Sequence, residues 1–209
     1  MNKLWITWFG HSCFKLTYAD YSLVIDPYKD GKVPGLKPLS INADEVFCSH
    51  DHEDHNYVRA VKLKQKKSLS PFHVTKIQCA HDEAGGKKRG MNLIHVFEAE
   101  GLRVGHFGDL GSALEKEQIN EIGKLDVAMI PVGGFFTIDA NGAAELIDIL
   151  KPKIVIPMHY KTEEWGFDQL AKVEDFIRLR KDVRILKANT LELTKDSKEG
   201  TVVLSYTNE

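Results

Sequence analysis

Short runs rich in β-branched and aromatic residues fill the start of the chain, and stretches with helical spacing enter later. Leu4 to Trp8, Cys13 to Tyr18 and Tyr21 to Ile25 read as strands, because such side chains suit a pleated, half-buried surface. Ala19-Asp20 fits a hairpin turn between the last two, and Asp26-Pro27 stops the third. Residues 28 to 40, with Gly31, Pro34, Gly35 and Pro38, form a connection long enough to serve as a binding loop or lid. Glu45 to Cys48 is a brief buried strand, and Tyr57 to Lys67 has helical spacing through Val58, Val61 and Leu63.

Further on, Lys76 to Cys79 predicts a strand, followed by a glycine-bearing loop from His81 to Gly90. Leu93 to Glu98 and Leu102 to Phe107 predict a hairpin around Gly101. Ser112 to Leu125 is amphipathic, and Val127 to Val132 is a strand ending in Gly133-Gly134. Ala140 to Leu150 and Phe167 to Arg180 read as helices on either side of a strand at Ile154 to Pro157. Val183 to Leu186, Thr190 to Leu193 and Thr201 to Tyr206 close the chain as strands. A strand meander followed by alternation with helices predicts a mixed α/β fold. No repeat or linker interrupts it, so residues 1–209 are expected to form one domain.

Composition adds limits. With 209 residues and 43% of them hydrophobic, the chain can bury a full core. Basic and acidic residues nearly balance, 28 against 30, which argues against a nucleic-acid partner. The run Lys62, Lys64, Lys66, Lys67 reads as the wet face and end of the helix over 57–67. Gly10, His11 and Ser12 break any signal-peptide-like apolar core in the first residues. No stretch approaches the roughly 18 apolar residues of a membrane span. Cys13, Cys48 and Cys79 make no CxxC pair and leave one thiol over in any disulfide scheme. The expectation is a soluble, cytoplasmic protein with a small-molecule substrate and no membrane or nucleic-acid partner; a homo-oligomer is left open.

The chemistry sits in Ser49-His50-Asp51-His52-Glu53-Asp54-His55-Asn56, where three histidines and three carboxylates share six consecutive positions. On an extended loop His50 and His52 point the same way, and Asp54 and His55 follow as the chain turns. Nitrogen and oxygen donors so placed suit two adjacent divalent cations, zinc, manganese or iron. The lack of a thiolate cage argues against a closed structural zinc site.

His50 to His55 resembles, position for position, the HxHxDH signature of the metallo-β-lactamase superfamily. His81 after Cys79-Ala80, Asp109 after Gly108, and His159 after Pro157-Met158 follow in that family's order. A finer resemblance, to a branch of small zinc-dependent hydrolases near the ascorbate-phosphate lactonase-like proteins, rests on five segments. These are Gly10-His11-Ser12-Cys13-Phe14, Ile25-Asp26-Pro27, Gly108-Asp109-Leu110-Gly111, Pro131-Val132-Gly133-Gly134 and Pro157-Met158-His159-Tyr160.

The resemblance implies a four-layer αββα sandwich and two divalent metal ions, Zn2+ first, with Mn2+ or Fe2+ as alternatives. It implies that His50, His52 and His81 bind one ion, that Asp54, His55 and His159 bind the other, and that Asp109 bridges them. It further implies a metal-dependent hydrolase in which a metal-activated hydroxide cleaves an ester-like bond (lactone, phosphodiester or thioester) of a small anionic metabolite. A small nuclease and a non-catalytic or regulatory metal-binding module are the alternatives. A di-iron oxidoreductase is disfavoured, since that branch replaces the second histidine by a carboxylate and this chain has His52.

Individual residues carry further expectations. Asp54 is expected to orient the attacking hydroxide, and His106 is either a proton donor or a structural hydrogen-bonding group. Lys87, Lys88 and Arg89 are candidates for an anionic group of the substrate, Arg89 foremost for its planar fork. Phe135 and Phe136 are divided between the pocket wall and the core. His11 is expected to bond backbone groups near the metals, and Asp26 to cap a strand end ahead of serving as a supporting acid. His73 and His95 are expected to be ordinary, and Cys48 to lie beside the cluster without acting as a nucleophile.

Overall fold

Residues 3–65 and 69–207 are described by the computed structural model. The strands are β1 (Leu4–Trp8), β2 (Phe14–Tyr18), β3 (Tyr21–Ile25), β4 (Ile41–Ala43), β5 (Glu45–Phe47), β6 (Val61–Leu63) and β7 (His73–Ala80). They continue as β8 (Met91–Ala99), β9 (Leu102–His106), β10 (Val127–Pro131), β11 (Ile154–Met158), β12 (Val183–Ile185), β13 (Thr190–Leu193) and β14 (Gly200–Val203). The helices are α1 (Lys116–Ile122), α2 (Ala140–Leu150) and α3 (Val173–Ile177).

Two large sheets form a sandwich over one hydrophobic core running from Leu4 to Leu204. The five-stranded sheet has the order β13-β1-β2-β3-β5, and the seven-stranded sheet β12-β14-β11-β10-β9-β8-β7. β1 and β2 bury alternate residues, Leu4, Ile6 and Trp8 against Phe14, Leu16 and Tyr18, which is the period-2 pattern of a sheet with one covered face. β3, β10 and β11 are buried along their whole length, as strands covered on both faces must be. α2 links the parallel neighbours β10 and β11 and turns Ala143, Leu146, Ile147 and Leu150 inward. Its first turn is capped by the Asp139 carboxylate, which accepts from the Gly142 N–H at 2.9 Å.

Strand direction decides where function can sit. β1 and β3 each pair antiparallel with β2 and so run the same way, and β5 joins β3 in parallel. In the other sheet β7 and β9 flank the antiparallel β8, and β10 and β11 extend β9 in parallel. Each sheet therefore gathers the carboxyl ends of several co-directional strands at one edge, where loops can converge.

Two expected helices come out differently. In place of a helix over 57–67 there is a 3-10 turn, Val58–Ala60, and then β6, which pairs with β4. Val61 alone of the three spaced apolar residues is buried, with Val58 and Leu63 exposed, so no apolar stripe exists to hold a helix. Lys64 pairs with Asp44 at 3.1 Å, while Lys66 and Lys67 lie outside the described residues. The helix expected over 167–180 shrinks to α3, because the preceding segment is tied elsewhere: the Ala171 N–H donates to the Gly133 carbonyl, and Lys161 bridges Lys172. No helix among the described residues is long and apolar enough to cross a membrane.

His95 is buried in β8, its ring stacked on Phe97 with centroids 5.8 Å apart and edge-on to Phe47. Burial lowers its pKa from 6.5 to about 4. Between those values the unfolded chain takes up a proton that the folded chain refuses. Its neutral burial is therefore fully favourable above about pH 6.5, and stability falls as the pH drops toward 4, by up to about 3 kcal/mol. Urea unfolding of metal-free protein at pH 7 and pH 4.5 should show that loss, and His95→Leu should make the pH dependence measurably shallower.

Candidate metal centre

Six strand ends supply one cluster. His11 follows β1, Asp26 follows β3, His50 to His55 follow β5, His81 follows β7, Asp109 comes three residues after β9, and His159 follows β11. Three of these residues are non-glycine positions in the left-handed backbone region: His11 at φ 51°, Asp26 at φ 49° and His159 at φ 54°. Each is fully buried or nearly so. Such backbone is strained for an L-residue and persists only where the surroundings over-determine it. Gly108, at φ +52°, meets a harder limit: a Cβ there would lie 2.2 Å from Asn92 Oδ1. The chain thus enters Asp109 along a path that only glycine can take.

Two donor sets result. Ligand atoms of His50, His52 and His81 lie within 4.8 Å of one another, and so do those of His11, Asp54, His55 and His159. Asp109 stands between the sets. Its Oδ2 is 3.2 Å from His159 Nε2, 3.4 Å from His81 Nε2 and 3.9 Å from His50 Nε2, and its Oδ1 is 3.2 Å from His55 Nε2. The structure therefore brings together all seven residues expected to hold metal, His50, His52, Asp54, His55, His81, Asp109 and His159, in the two groups expected.

It also adds His11. The ring, which was expected to bond backbone groups, instead faces the second set, with Nε2 3.3 Å from Asp54 Oδ2 and its centroid 4.2 Å from that of His159. Both of its nitrogens are buried without a hydrogen-bond partner.

The electrostatics fit cations. His50 Nε2, His55 Nε2, both nitrogens of His11 and Asp109 Oδ1 are buried and make no well-aligned hydrogen bond among the described residues, although charged neighbours lie 3.2–3.9 Å from several of them, an arrangement that is costly unless something binds them. Burial lowers the pKa of His50 to about 3, with the His55 ring adding to the effect, and that of His11 to about 4, with His159 adding. Neutral imidazoles keep the lone pairs a metal needs. Burial works against ionisation of Asp109, but the His159 and His55 rings outweigh it and hold the carboxyl well below its usual range. At His55 the order is reversed: burial opposes charge, yet Asp109 and Asp26 raise its pKa well above the ordinary value. Positive charge is favoured on this ring, and its Nε2 side, toward Asp109 and Asp54, is where the other donors gather.

A supporting layer orients the donors. Asp26, expected foremost as a strand-end cap, is fully buried and accepts from the Ser49 N–H at 2.7 Å, the Ser49 hydroxyl at 2.6 Å and His55 Nδ1 at 2.8 Å. Ser49 Oγ in turn lies 2.9 Å from His50 Nδ1. One carboxylate thus turns Nε2 inward on a histidine of each set, directly for His55 and through Ser49 for His50. Asn92 does the same for Asp109: its Oδ1 accepts from the Asp109 N–H at 2.9 Å, and its amide donates to the Phe107 carbonyl at 2.9 Å.

The cluster opens on a cleft of about 460 Å³, lined by Lys32, Asp51, His52, Glu53, Asp54, His81, Arg89, Asp109, Phe136 and Phe167. Of the residues expected to meet substrate, Arg89 and Phe136 are on this wall. Lys88 is not: its ammonium pairs with Glu83, pointing that charge elsewhere. Phe167, hidden in the sequence inside an expected helix, faces His11 and Phe136 edge-on at 5.6 and 5.9 Å between centroids. His106 does not reach the cleft. It is fully buried, its Nε2 donates to the Ser12 carbonyl at 2.9 Å, and its Nδ1 accepts from the Gly108 N–H at 3.2 Å. With both nitrogens engaged it holds the turn before Asp109 and has no proton to offer a leaving group. Cys48 is half-buried, and burial with Asp26 nearby pushes its thiol up to about 12, so it stays protonated and unreactive.

Replacing Asp26 by Asn removes the charge that orients both sets. Asp26→Asn should weaken metal binding about 10- to 100-fold in chelator competition, whereas Ser49→Ala should weaken the His50 set alone. Wild-type affinity in Asp26→Asn would show that the rings are oriented by something else.

The family model described as a beta-lactamase superfamily domain matches residues 5–159, ending on the last donor. A UPF0173 metal-dependent hydrolase of Thermoplasma acidophilum is 30% identical, over 78% of this chain and 85% of its own length. One from Archaeoglobus fulgidus is 27% identical over 75% of this chain and 83% of its own. Among solved structures, a Thermotoga maritima protein of the metallo-beta-lactamase superfamily, a candidate Zn-dependent hydrolase, superposes with a TM-score of 0.75 at 35% identity. That match covers 96% of this chain and 98% of the other. A metallo hydrolase of Ignicoccus hospitalis shares the fold, with a TM-score of 0.62 at 21% identity, covering 84% of this chain and 89% of the other. With its mixed α/β sandwich and its ordered donors, the chain belongs to the beta-lactamase superfamily of metal-binding domains.

Proposed function

We propose that the protein is a metal-dependent hydrolase that cleaves an ester-like bond (lactone, phosphodiester or thioester) in a small molecule, using two divalent cations. The observation that carries this reading is the pair of donor sets joined through Asp109 at the floor of an open cleft. His50, His52 and His81 would hold one ion and Asp54, His55 and His159, with His11 beside them, the other. Imidazole and carboxylate donors without thiolate favour zinc, with manganese or iron as alternatives. Divalent cations on these donors supply Lewis-acid chemistry, an acidified water and a polarised carbonyl or phosphoryl oxygen.

The chain's own residues do the remainder. Asp54 lines the cleft with Oδ2 leaning on His11 and His55, which leaves Oδ1 to accept a hydrogen bond from the attacking water and orient it. Asp109 keeps the two sets in fixed relation, and its anionic form is secured by the surrounding rings. Phe136 and Phe167 wall one side and limit the water that can reach the reacting bond. Four carboxylates on the lining, Asp51, Glu53, Asp54 and Asp109, against Lys32 and Arg89, do not make the basic track that a nucleic-acid strand requires.

Elemental analysis of protein purified without chelator tests this first. Two ions per chain, with hydrolysis of a lactone, phosphodiester or thioester panel lost on chelation and restored by added Zn2+ or Mn2+, is the expected result. Asp109→Ala should lose both ions and activity. One ion per chain with full activity would refute the two-ion mechanism, and no binding even after metal addition would leave a non-catalytic module.

A further inference from the structure

Of the two cationic side chains on the cleft lining, Lys32 and Arg89, one stays without an acidic partner among the described residues. Glu53 on the rim is engaged by Lys29 and Lys32, the latter at 3.3 Å, and Lys88 is engaged by Glu83. Arg89 lines the same cleft yet has no ion-pair partner among the described residues. Its guanidinium carbon instead sits over the Phe136 ring, 5.6 Å from the centroid. Stacking on an aromatic face satisfies the flat side of a guanidinium and leaves the N–H edge to face a ligand.

The loop that bears Arg89 is fixed from beneath. Asp82, itself buried, accepts four backbone N–H bonds: from Ala84 at 2.8 Å, Gly86 at 3.0 Å, Lys88 at 2.9 Å and Arg89 at 2.7 Å. A buried carboxylate binding the backbone at Arg89 itself sets where that side chain starts. Phe136 is held in turn by Phe167 at 5.9 Å and Phe135 at 4.7 Å between centroids. The result is an unpaired, pre-positioned fork on the wall that also holds Asp54, His81 and Asp109.

We propose that Arg89 on its Phe136 platform is an anion subsite, so that the substrate carries a carboxylate or phosphate group beside the bond that is cleaved. The proposal rests on the hydrolase reading for the word substrate, but the subsite stands on binding alone. Two divalent ions would match the charge of the four lining carboxylates, Asp51, Glu53, Asp54 and Asp109, and Lys32 and Arg89 would then leave the cleft with surplus positive charge. A small anion is the ligand that such a pocket selects. Two N–H bonds from the guanidinium to one oxyanion give both strength and orientation, placing the neighbouring bond toward the donor sets.

The test uses the metal-loaded protein, residues 1–209. Binding of glutarate and of glycerol phosphate is measured by titration calorimetry for wild type, Arg89→Gln and Arg89→Lys, with thermal melts to confirm that all three fold alike. At least one of the two probes should bind roughly 10- to 100-fold more weakly to Arg89→Gln, with Arg89→Lys between, as loss of a charge-assisted fork predicts. Whichever probe responds distinguishes a carboxylate from a phosphate substrate. Equal binding of both probes to wild type and Arg89→Gln would overturn the subsite.

A second readout compares hydrolysis of 4-nitrophenyl acetate with the 4-nitrophenyl half-ester of glutarate. Wild type should prefer the charged ester, and Arg89→Gln should lose most of that preference through KM. A preference that survives in Arg89→Gln overturns the proposal. If wild type cleaves neither ester, the hydrolysis of simple esters is what fails, and the binding comparison still decides the subsite.

Discussion

A single buried carboxylate, Asp26, holds the centre together, because it is the point where the two donor sets share a support. It accepts from Ser49 twice and from His55 once, and Ser49 passes the constraint to His50. A ring whose Nδ1 is engaged presents Nε2, and His50 and His55 both do so toward Asp109. Taking a carboxylate wholly out of water is unfavourable unless it is charge-paired and hydrogen-bonded. Here burial would raise the pKa of Asp26, yet the His55 and His106 rings beside it hold it down at about 2. The bonds that keep Asp26 ionised are the same ones that aim the donors.

That arrangement needs a frame stiff enough to keep unfavourable backbone in place. His11, Asp26 and His159 adopt left-handed conformations at the ends of β1, β3 and β11, at a cost of order 1–3 kcal/mol each. β3 and β11 are buried along their whole length, and Trp8, at the end of β1, packs against Phe14, Tyr160 and Trp165. The Trp8 indole N–H also donates to the His11 carbonyl at 3.0 Å, so core packing and site geometry meet in one residue. Strain at these three positions falls where ligands must be aimed, and the sandwich on either side absorbs it.

The wall of the cleft is organised differently from its floor. The floor is built from imidazole rings and carboxylates held by buried hydrogen bonds, whereas the wall is aromatic, Phe136 and Phe167, with a guanidinium laid over one ring. Such a division separates reactivity from selection: floor residues fix the donors, and wall residues fix what can lie against them. The loop from His81 to Gly90 serves both, since it begins at a donor and ends beside the cation on the wall, with Asp82 bracing the stretch between.

The dense run from His50 to His55, and the order in which His81, Asp109 and His159 follow it, were legible in the sequence because ligand chemistry restricts residue type so strongly. Most strands were legible too, since the alternation in β1 and β2 and the continuous apolar runs of β10 and β11 record which faces are covered. What local pattern could not supply was competition between distant segments. The 58–63 stretch forms a turn and a short strand because β4 offers it backbone partners, and the 167–172 stretch stays out of the helix because Gly133 and Lys161 claim Ala171 and Lys172. The same limit hid the role of His11 and Asp26 and left His106 divided between two roles, for each is decided by residues tens of positions away in the chain. Residue identity thus determined which chemistry is available, and only the folded sheets, by bringing six strand ends to one edge, decided which side chains take part in it.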